Sequence, residues 1–127
     1  MSVNDPIADF IIRLKNASAR RQPEVRLRRT KTTEALARVL FSVGFIGKID
    51  TESDLLRISL LYRDDGPAIT GVRRLSKPGV RRYVPVSKIP RVRGGLGMVI
   101  LATSKGIVSG QQALKERVGG EMLCEIW

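Results

Sequence analysis

The hydrophobic pattern changes period along this chain, and that change limits the folds open to it. Near the N-terminus, Ile7, Phe10, Ile11 and Leu14 recur at helical spacing, as do Leu36, Val39, Leu40 and Val43. Farther on, Leu56, Ile58, Leu60 and Tyr62 alternate with polar neighbours, and Met122, Cys124 and Ile126 alternate with Leu123, Glu125 and Trp127. Helical stripes in one stretch and period-two strands in others imply an α+β fold. Asp5 caps a first helix and Pro6 suits its first turn. That helix is expected to fray around Ser18 to Arg21, and Pro23 separates it from a short strand over 24–28. Thr30 to Thr33 offer capping hydroxyls for a second helix, and Gly44 is placed to stop it. Strands are expected over 45–50 and 55–62, joined by a polar turn at 51–54.

The turn cluster Asp64-Asp65-Gly66-Pro67 marks the best boundary. It divides the chain into two small subdomains. Residues 1–66 form an α+β unit of two helices packed on three strands. Residues 67–127 form a mostly β unit with one short helix. In the second unit a strand is expected over 68–75, followed by Lys77-Pro78-Gly79-Val80. Those four residues carry a type II turn signature, because Pro presets the second residue and Gly supplies positive φ at the third. A short segment, 86–89, lies between two prolines, and Gly94-Gly95-Leu96-Gly97 reads as a loop. Met98 to Thr103 is a buried strand by its apolar run. Ser109 with Gln112 caps a short helix that ends before Gly119-Gly120, and the chain closes in a strand.

Charge narrows the function. Lys and Arg number 23 against 12 Asp and Glu, a net of +11. Residues 1–66 hold 12 basic and 9 acidic side chains, whereas 67–127 hold 11 and 3. From Gly66 through Lys115 there are ten basic residues and no acidic one. A solvated surface mixes the two signs, so this stretch points to a polyanionic partner. Arg outnumbers Lys 16 to 7, and its planar fork suits phosphates and base edges.

Catalysis has little to stand on. The absence of histidine removes Ser-His and Cys-His pairs and every His-containing metal site. A single cysteine, Cys124, allows no internal disulfide and no multi-cysteine metal site. It fits a reducing compartment, and its place in an alternating strand makes it a small buried side chain. Asp64 and Asp65 adjoin in a turn and are not opposed across a cleft. Gly95-Leu96-Gly97 lacks the third glycine of a dinucleotide fingerprint, and no P-loop Gly-Lys-Ser/Thr occurs. No cofactor, metal or small-molecule substrate is therefore expected. No apolar run reaches the ~18 residues of a membrane span, and the N-terminus lacks the order of a secretion signal.

Nucleic-acid motifs are informative by their absence as well. Gly44 to Gly47 and Gly94 to Gly97 match G-x-x-G but do not join two helices as a KH loop does. The aromatic pattern of an RRM is missing, and no helix–turn–helix or continuous basic helix favours duplex DNA. Thr103-Ser104-Lys105-Gly106 remains. Two hydroxyls and an ammonium follow a buried strand, and such hydroxyls can read base edges and ribose 2′-OH groups.

Six blocks in order then carry a resemblance. They are Asn4-Asp5-Pro6-Ile7-Ala8-Asp9, Gly44-Phe45-Ile46, Leu75 through Tyr83, Ile89 through Gly97, Ala102 through Gly106 and Gly119 through Trp127. Along essentially its whole length the chain resembles the bacterial-type small-subunit ribosomal protein eight family. The resemblance implies a two-part α+β protein that binds the central domain of small-subunit rRNA directly and supports its assembly. In some bacteria the family also represses its own operon through an mRNA mimic of that site. Carried over by position, Thr103, Ser104, Lys105 and Gly106 contact RNA, together with Tyr83 and the turn residues Ser76, Lys77, Pro78 and Arg81. Arg13, Asn16, Thr30 and Lys31 are nominated on a second RNA-facing surface. The implied neighbours are other small-subunit proteins, ribosomal protein five among them. The implied location is the ribosome of the bacterial cytoplasm, with an organellar ribosome also compatible. Three departures stand out: Ala102 replaces the first loop serine, Ile12 replaces a threonine, and 28–33 is more basic than usual.

Overall fold

The structure, a computed structural model of the chain, describes residues 5–92 and 96–127. Of the expected features, Asn4, Arg93 and the Gly94-Gly95 half of the glycine loop lie outside the described residues. The chain divides into two compact units, Met1–Thr70 and Gly71–Trp127.

The first unit follows the sequence closely. Helix α1 spans Pro6–Ala19 and is capped by Asp5, whose carboxylate accepts from the Ala8 amide at 3.2 Å. It runs intact through Ser18, which is buried and not frayed. Strand β1 (Glu24–Arg28) leads to helix α2 (Lys31–Ser42), then to β2 (Ile46–Glu52) and β3 (Leu55–Leu60). The sheet order is β1-β3-β2, with both pairings antiparallel. Because β3 inserts between β1 and β2, the β1–α2–β2 segment is a split crossover. The buried faces hold Phe10, Ile11 and Leu14 from α1, Leu36 and Leu40 from α2, and Val25, Leu27, Leu56 and Ile58 from the sheet.

Helix α2 begins with a reciprocal cap. The Thr33 amide donates to the Thr30 hydroxyl at 3.0 Å, and the Thr30 amide donates to the Thr33 hydroxyl at 2.9 Å. Thr33 also donates its hydroxyl to the Arg28 carbonyl at 3.0 Å, which ties the helix start to β1. At the other end Gly44 adopts φ +86°, the conformation a helix stop requires. Val43, expected in the buried stripe, is 39% exposed because it falls at the cap, past the last helical turn.

Several boundaries differ from expectation. β2 continues to Glu52, so the turn is only Ser53-Asp54, with Ser53 at φ 56°. The run expected over 55–62 breaks at Leu61. Tyr62–Arg63 (β4) instead pairs with Gly66–Pro67 (β5), and the Ala68 amide bonds the Leu61 carbonyl. The turn cluster therefore folds back on the first unit, and the boundary moves from Gly66 to Thr70. The Tyr62 hydroxyl donates to the Gln22 carbonyl, and desolvation holds its pKa above the ordinary tyrosine value.

The second unit is a five-stranded sheet carrying one short helix. Its elements are β6 (Val72–Arg74), β7 (Tyr83–Val84), a 3₁₀ turn (Val86–Lys88), β8 (Met98–Thr103), β9 (Gly106–Ser109), α3 (Gly110–Glu116) and β10 (Gly120–Ile126). The order is β6-β10-β8-β9, with β7 also pairing β10. Val92, Val99, Leu101 and Ala113 form a core on the α3 side, flanked by Leu75, Val84, Val108 and Met122. The expected strand over 68–75 shortens to three residues. β10 does not alternate throughout, because a bulge at Leu123 shifts its register against β8.

Replacing Thr33 by Val keeps the shape but removes the hydroxyl that joins the cap to β1. We expect a loss of about 1–2 kcal/mol, read as a lower urea midpoint at unchanged slope.

Candidate nucleic-acid interface

The second unit brings three distant stretches to one end of its sheet. β10 is the meeting line. In register, Tyr83 lies opposite Glu121, and Glu121 lies opposite Ala102, which in turn faces Ile107. Residues directly opposite in an antiparallel sheet share a face, so Tyr83, Glu121 and Ala102 form one row across three strands. The neighbouring positions explain how the strands come so close. A Cβ on Gly119 would lie 2.3 Å from the Val84 carbonyl oxygen, and one on Gly120 would lie 2.3 Å from that of Ala102. The glycine pair follows the helix as expected, and it also lets β7 and β8 close on β10. Helix α3 ends at Glu116, and its cap residue Arg117 takes the left-handed conformation itself.

Two tight turns project at this end. In the first, the Val80 amide donates to the Lys77 carbonyl at 2.9 Å, with Gly79 at φ +86°. This is the type II geometry the Pro-Gly pair predicts. Ser76 lies beneath the turn and is 1% exposed. Its hydroxyl accepts from the Arg82 amide at 2.8 Å and donates to the Arg82 carbonyl at 3.3 Å. Ser76 thus builds the turn and offers no surface to a ligand, which corrects its expected place among the contacts. Lys77, Pro78, Arg81 and Tyr83 are exposed, and Tyr83 is 71% so.

The second turn is the Thr103–Gly106 hairpin between β8 and β9. The Thr103 hydroxyl donates to the Gly106 carbonyl at 2.8 Å and accepts from the Lys105 amide at 3.1 Å. Gly106 sits at φ +109°, so its role is conformational. Ser104 and Lys105 are left at the tip, exposed. Of the four loop residues, Thr103 and Gly106 shape the turn, and Ser104 and Lys105 are presented.

Both units leave cations unpaired. In the first, Arg13, Arg26, Arg29, Arg38, Lys48 and Arg57 pair with carboxylates, whereas Lys15, Arg20, Arg21, Arg28, Lys31 and Arg63 have none within ion-pair distance among the described residues. Hydrogen bonds from Arg29 and then Arg38 hold the Glu34 carboxyl below its usual range. In the second, Arg73 pairs with Glu125 and Arg81 with Glu121. Among the described residues, Lys77, Arg82, Lys88, Arg91, Lys105, Lys115 and Arg117 have no carboxylate within ion-pair distance.

The candidates in the first unit fare unevenly. Arg13 donates to both Asp9 oxygens at 3.0 and 3.1 Å and to the Arg26 carbonyl at 3.3 Å. An exposed pair of this kind is worth little and exchanges readily. The Thr30 hydroxyl is committed to the cap of α2. Asn16 and Lys31 are exposed.

Nothing in the described residues suggests bond-making chemistry. No group of three acidic, Cys or His side chains is placed to hold a metal ion among them. No helix among them is long and apolar enough to cross a membrane. Cys124 is 1% exposed, and burial pushes its thiol up to about 12, far from a nucleophile's range. Sequence reasoning did not single out Glu121, because the short strand β7 that sets it beside Tyr83 carries no pattern of its own.

Comparison with known proteins identifies relatives along the whole chain. The family described as Ribosomal protein S8 matches residues 5–127. A protein of Chloroflexus aurantiacus named small ribosomal subunit protein uS8 is 47% identical, with all of both chains covered. Proteins of the same name from Nitratidesulfovibrio vulgaris and Dictyoglomus thermophilum are each 44% identical. The first covers 98% of this chain and 99% of its own, and the second covers all of both.

Gly120→Ala would drive a methyl into the Ala102 carbonyl and part β8 from β10. We expect about 3 kcal/mol of lost stability, measured by chemical denaturation. Gly79→Ala, in open space, should cost less.

Proposed function

The chain belongs to the ribosomal protein S8 family, a structural and non-enzymatic family, and from that premise we propose that it binds rRNA in the small ribosomal subunit. The target is the central domain of small-subunit rRNA, where the protein supports folding of the RNA during assembly. The observation that carries this reading is the convergence of the Lys77–Tyr83 turn, the Ser104-Lys105 tip and the Tyr83–Glu121–Ala102 row at one sheet end. Unpaired cations supply affinity by releasing counterions from phosphates. The exposed Tyr83 ring offers a stacking surface, and Ser104 offers a hydroxyl to bases or sugars.

Regular A-form RNA hides its base edges in a deep, narrow groove. A fixed, projecting pair of turns therefore suits a distorted internal loop whose bases leave the stack. An mRNA segment of the same shape would engage the same surface, which is the regulatory role the resemblance implies. Arg13, Asn16 and Lys31 are the residues we propose for a second RNA contact from the first unit, with Thr30 acting through the α2 cap. Ribosomal protein five is the proposed protein neighbour.

Two substitutions test the loop against a transcript of the rRNA central domain. Lys105→Ala should weaken binding and lower the slope of log affinity against log salt by about 1. An unchanged slope at full affinity would remove Lys105 from the interface. Ser104→Ala should weaken binding by about 1 kcal/mol with the slope unchanged, measured by filter binding at several salt concentrations. Full affinity in that variant would leave the serine a mere turn residue.

A further inference from the structure

One carboxylate sits where a phosphate-binding surface should have none. Glu121 occupies the middle of the Tyr83–Glu121–Ala102 row, at the end of the sheet that carries Lys77, Arg82 and Lys105. The unit's other two carboxylates have evident local duties. Glu125 bonds Arg73 at 2.6 Å on the paired strand, and Glu116 accepts from Gln112 one helical turn away. Glu121 instead reaches Arg81, forty residues earlier in the chain, with its Oε2 3.1 Å from Arg81 Nη1. Its side chain is 16% exposed and that of Arg81 is 49% exposed.

We infer that Glu121 is a specificity-determining residue of the RNA interface, which orients Arg81 and repels phosphates that are not held in the matching shape. The inference rests on the rRNA-binding reading above. Its physical basis has two parts. The contact to Arg81 uses one guanidinium nitrogen, Nη1, so the remaining donors of the fork stay available while the side chain is held in one direction. A group oriented before binding loses less freedom on contact. The carboxylate itself is an acceptor only, so it repels a backbone phosphate and accepts a base amino or imino group. A surface of unpaired cations alone would take any duplex. A fixed negative charge among them penalises the wrong partner more than the right one, which is how discrimination is built.

Binding should be measured for two probes: a transcript of the small-subunit rRNA central domain, and a fully paired RNA duplex of matched length. Glu121→Gln keeps the size and an acceptor for Arg81 but removes the charge. It should bind the duplex about tenfold more tightly and gain much less on the central-domain transcript, so the ratio falls. Glu121→Asp keeps the charge but shortens the reach to Arg81. It should bind the transcript at least about threefold more weakly and leave the duplex unchanged. Circular dichroism and a urea midpoint establish that each variant is folded. An equal gain on both RNAs for Glu121→Gln would make the residue one bulk charge among many and overturn the proposal. Wild-type binding of both RNAs by Glu121→Asp would overturn the orienting role. If the unsubstituted protein shows no preference for the transcript, the rRNA-binding reading itself fails. A preference that is undiminished in Glu121→Gln sinks only the inference about Glu121.

Discussion

The second unit depends on what β10 can approach. That strand takes β6 and β7 along one edge and β8 along the other. At Gly119 and Gly120 the neighbouring carbonyls stand where a side chain would have to be. Without that approach, β7 could not pair with β10, and Tyr83 would not stand in line with Glu121 and Ala102. The bulge at Leu123 belongs to the same arrangement. It changes the register part-way along β10, so the strand bonds the upper turn through the Met122 amide and Arg82 carbonyl, and bonds Leu75 through the Leu123 carbonyl. The final seven-residue strand thereby fixes both the core under α3 and the projecting end.

Hydroxyls and cations divide the work at that end. Ser76, Thr103 and Ser109 spend their hydroxyls on backbone groups and so hold the turns and the start of α3 in shape. Buried or half-buried hydroxyls must be partnered to avoid a desolvation cost. These are partnered within the fold, which leaves their turns rigid. The cations behave in the opposite way. In the first unit six of the twelve pair with carboxylates, and in the second Arg73 and Arg81 do so, whereas Lys77, Arg82, Lys88, Arg91, Lys105, Lys115 and Arg117 do not among the described residues. That contrast follows directly from the acid-free stretch between Gly66 and Lys115.

Much of this was legible in the residues, for reasons that can be named. Helices α1 and α2 combine a strong apolar stripe with a local start signal, and both appear where Asp5-Pro6 and Thr30–Thr33 place them. The buried strand Met98–Thr103 and the Pro78-Gly79 turn likewise follow from local chemistry. What escaped was set by partners far along the chain. β7 and β9 are too short to show a period, and exist because β10 and β8 supply their hydrogen bonds. The boundary shifted because Gly66–Pro67 pairs backwards with Tyr62–Arg63, a choice no composition shift announces. For the site, the motif residues were visible but their duties were not. Ser76 and Thr103 carry hydroxyls in the right places, and only the hydrogen bonds reveal that those hydroxyls face inward.

This division bears on how a basic surface can prefer one RNA. The cations left unpaired among the described residues provide attraction that any phosphate backbone can satisfy, and long Arg and Lys side chains adapt to many of them. Discrimination needs parts that do not adapt. The structure supplies these as two turns closed by their own hydrogen bonds, a tyrosine on a paired strand, and an arginine held by Glu121. A partner whose phosphates and bases match that fixed set meets no reorganisation cost. If the surface binds as proposed, a regular duplex must either distort or leave the carboxylate facing a phosphate. On the proposed reading, the selectivity of this surface therefore resides in its rigid residues, and the flexible cations around them set only how strongly, and at what salt, it is expressed.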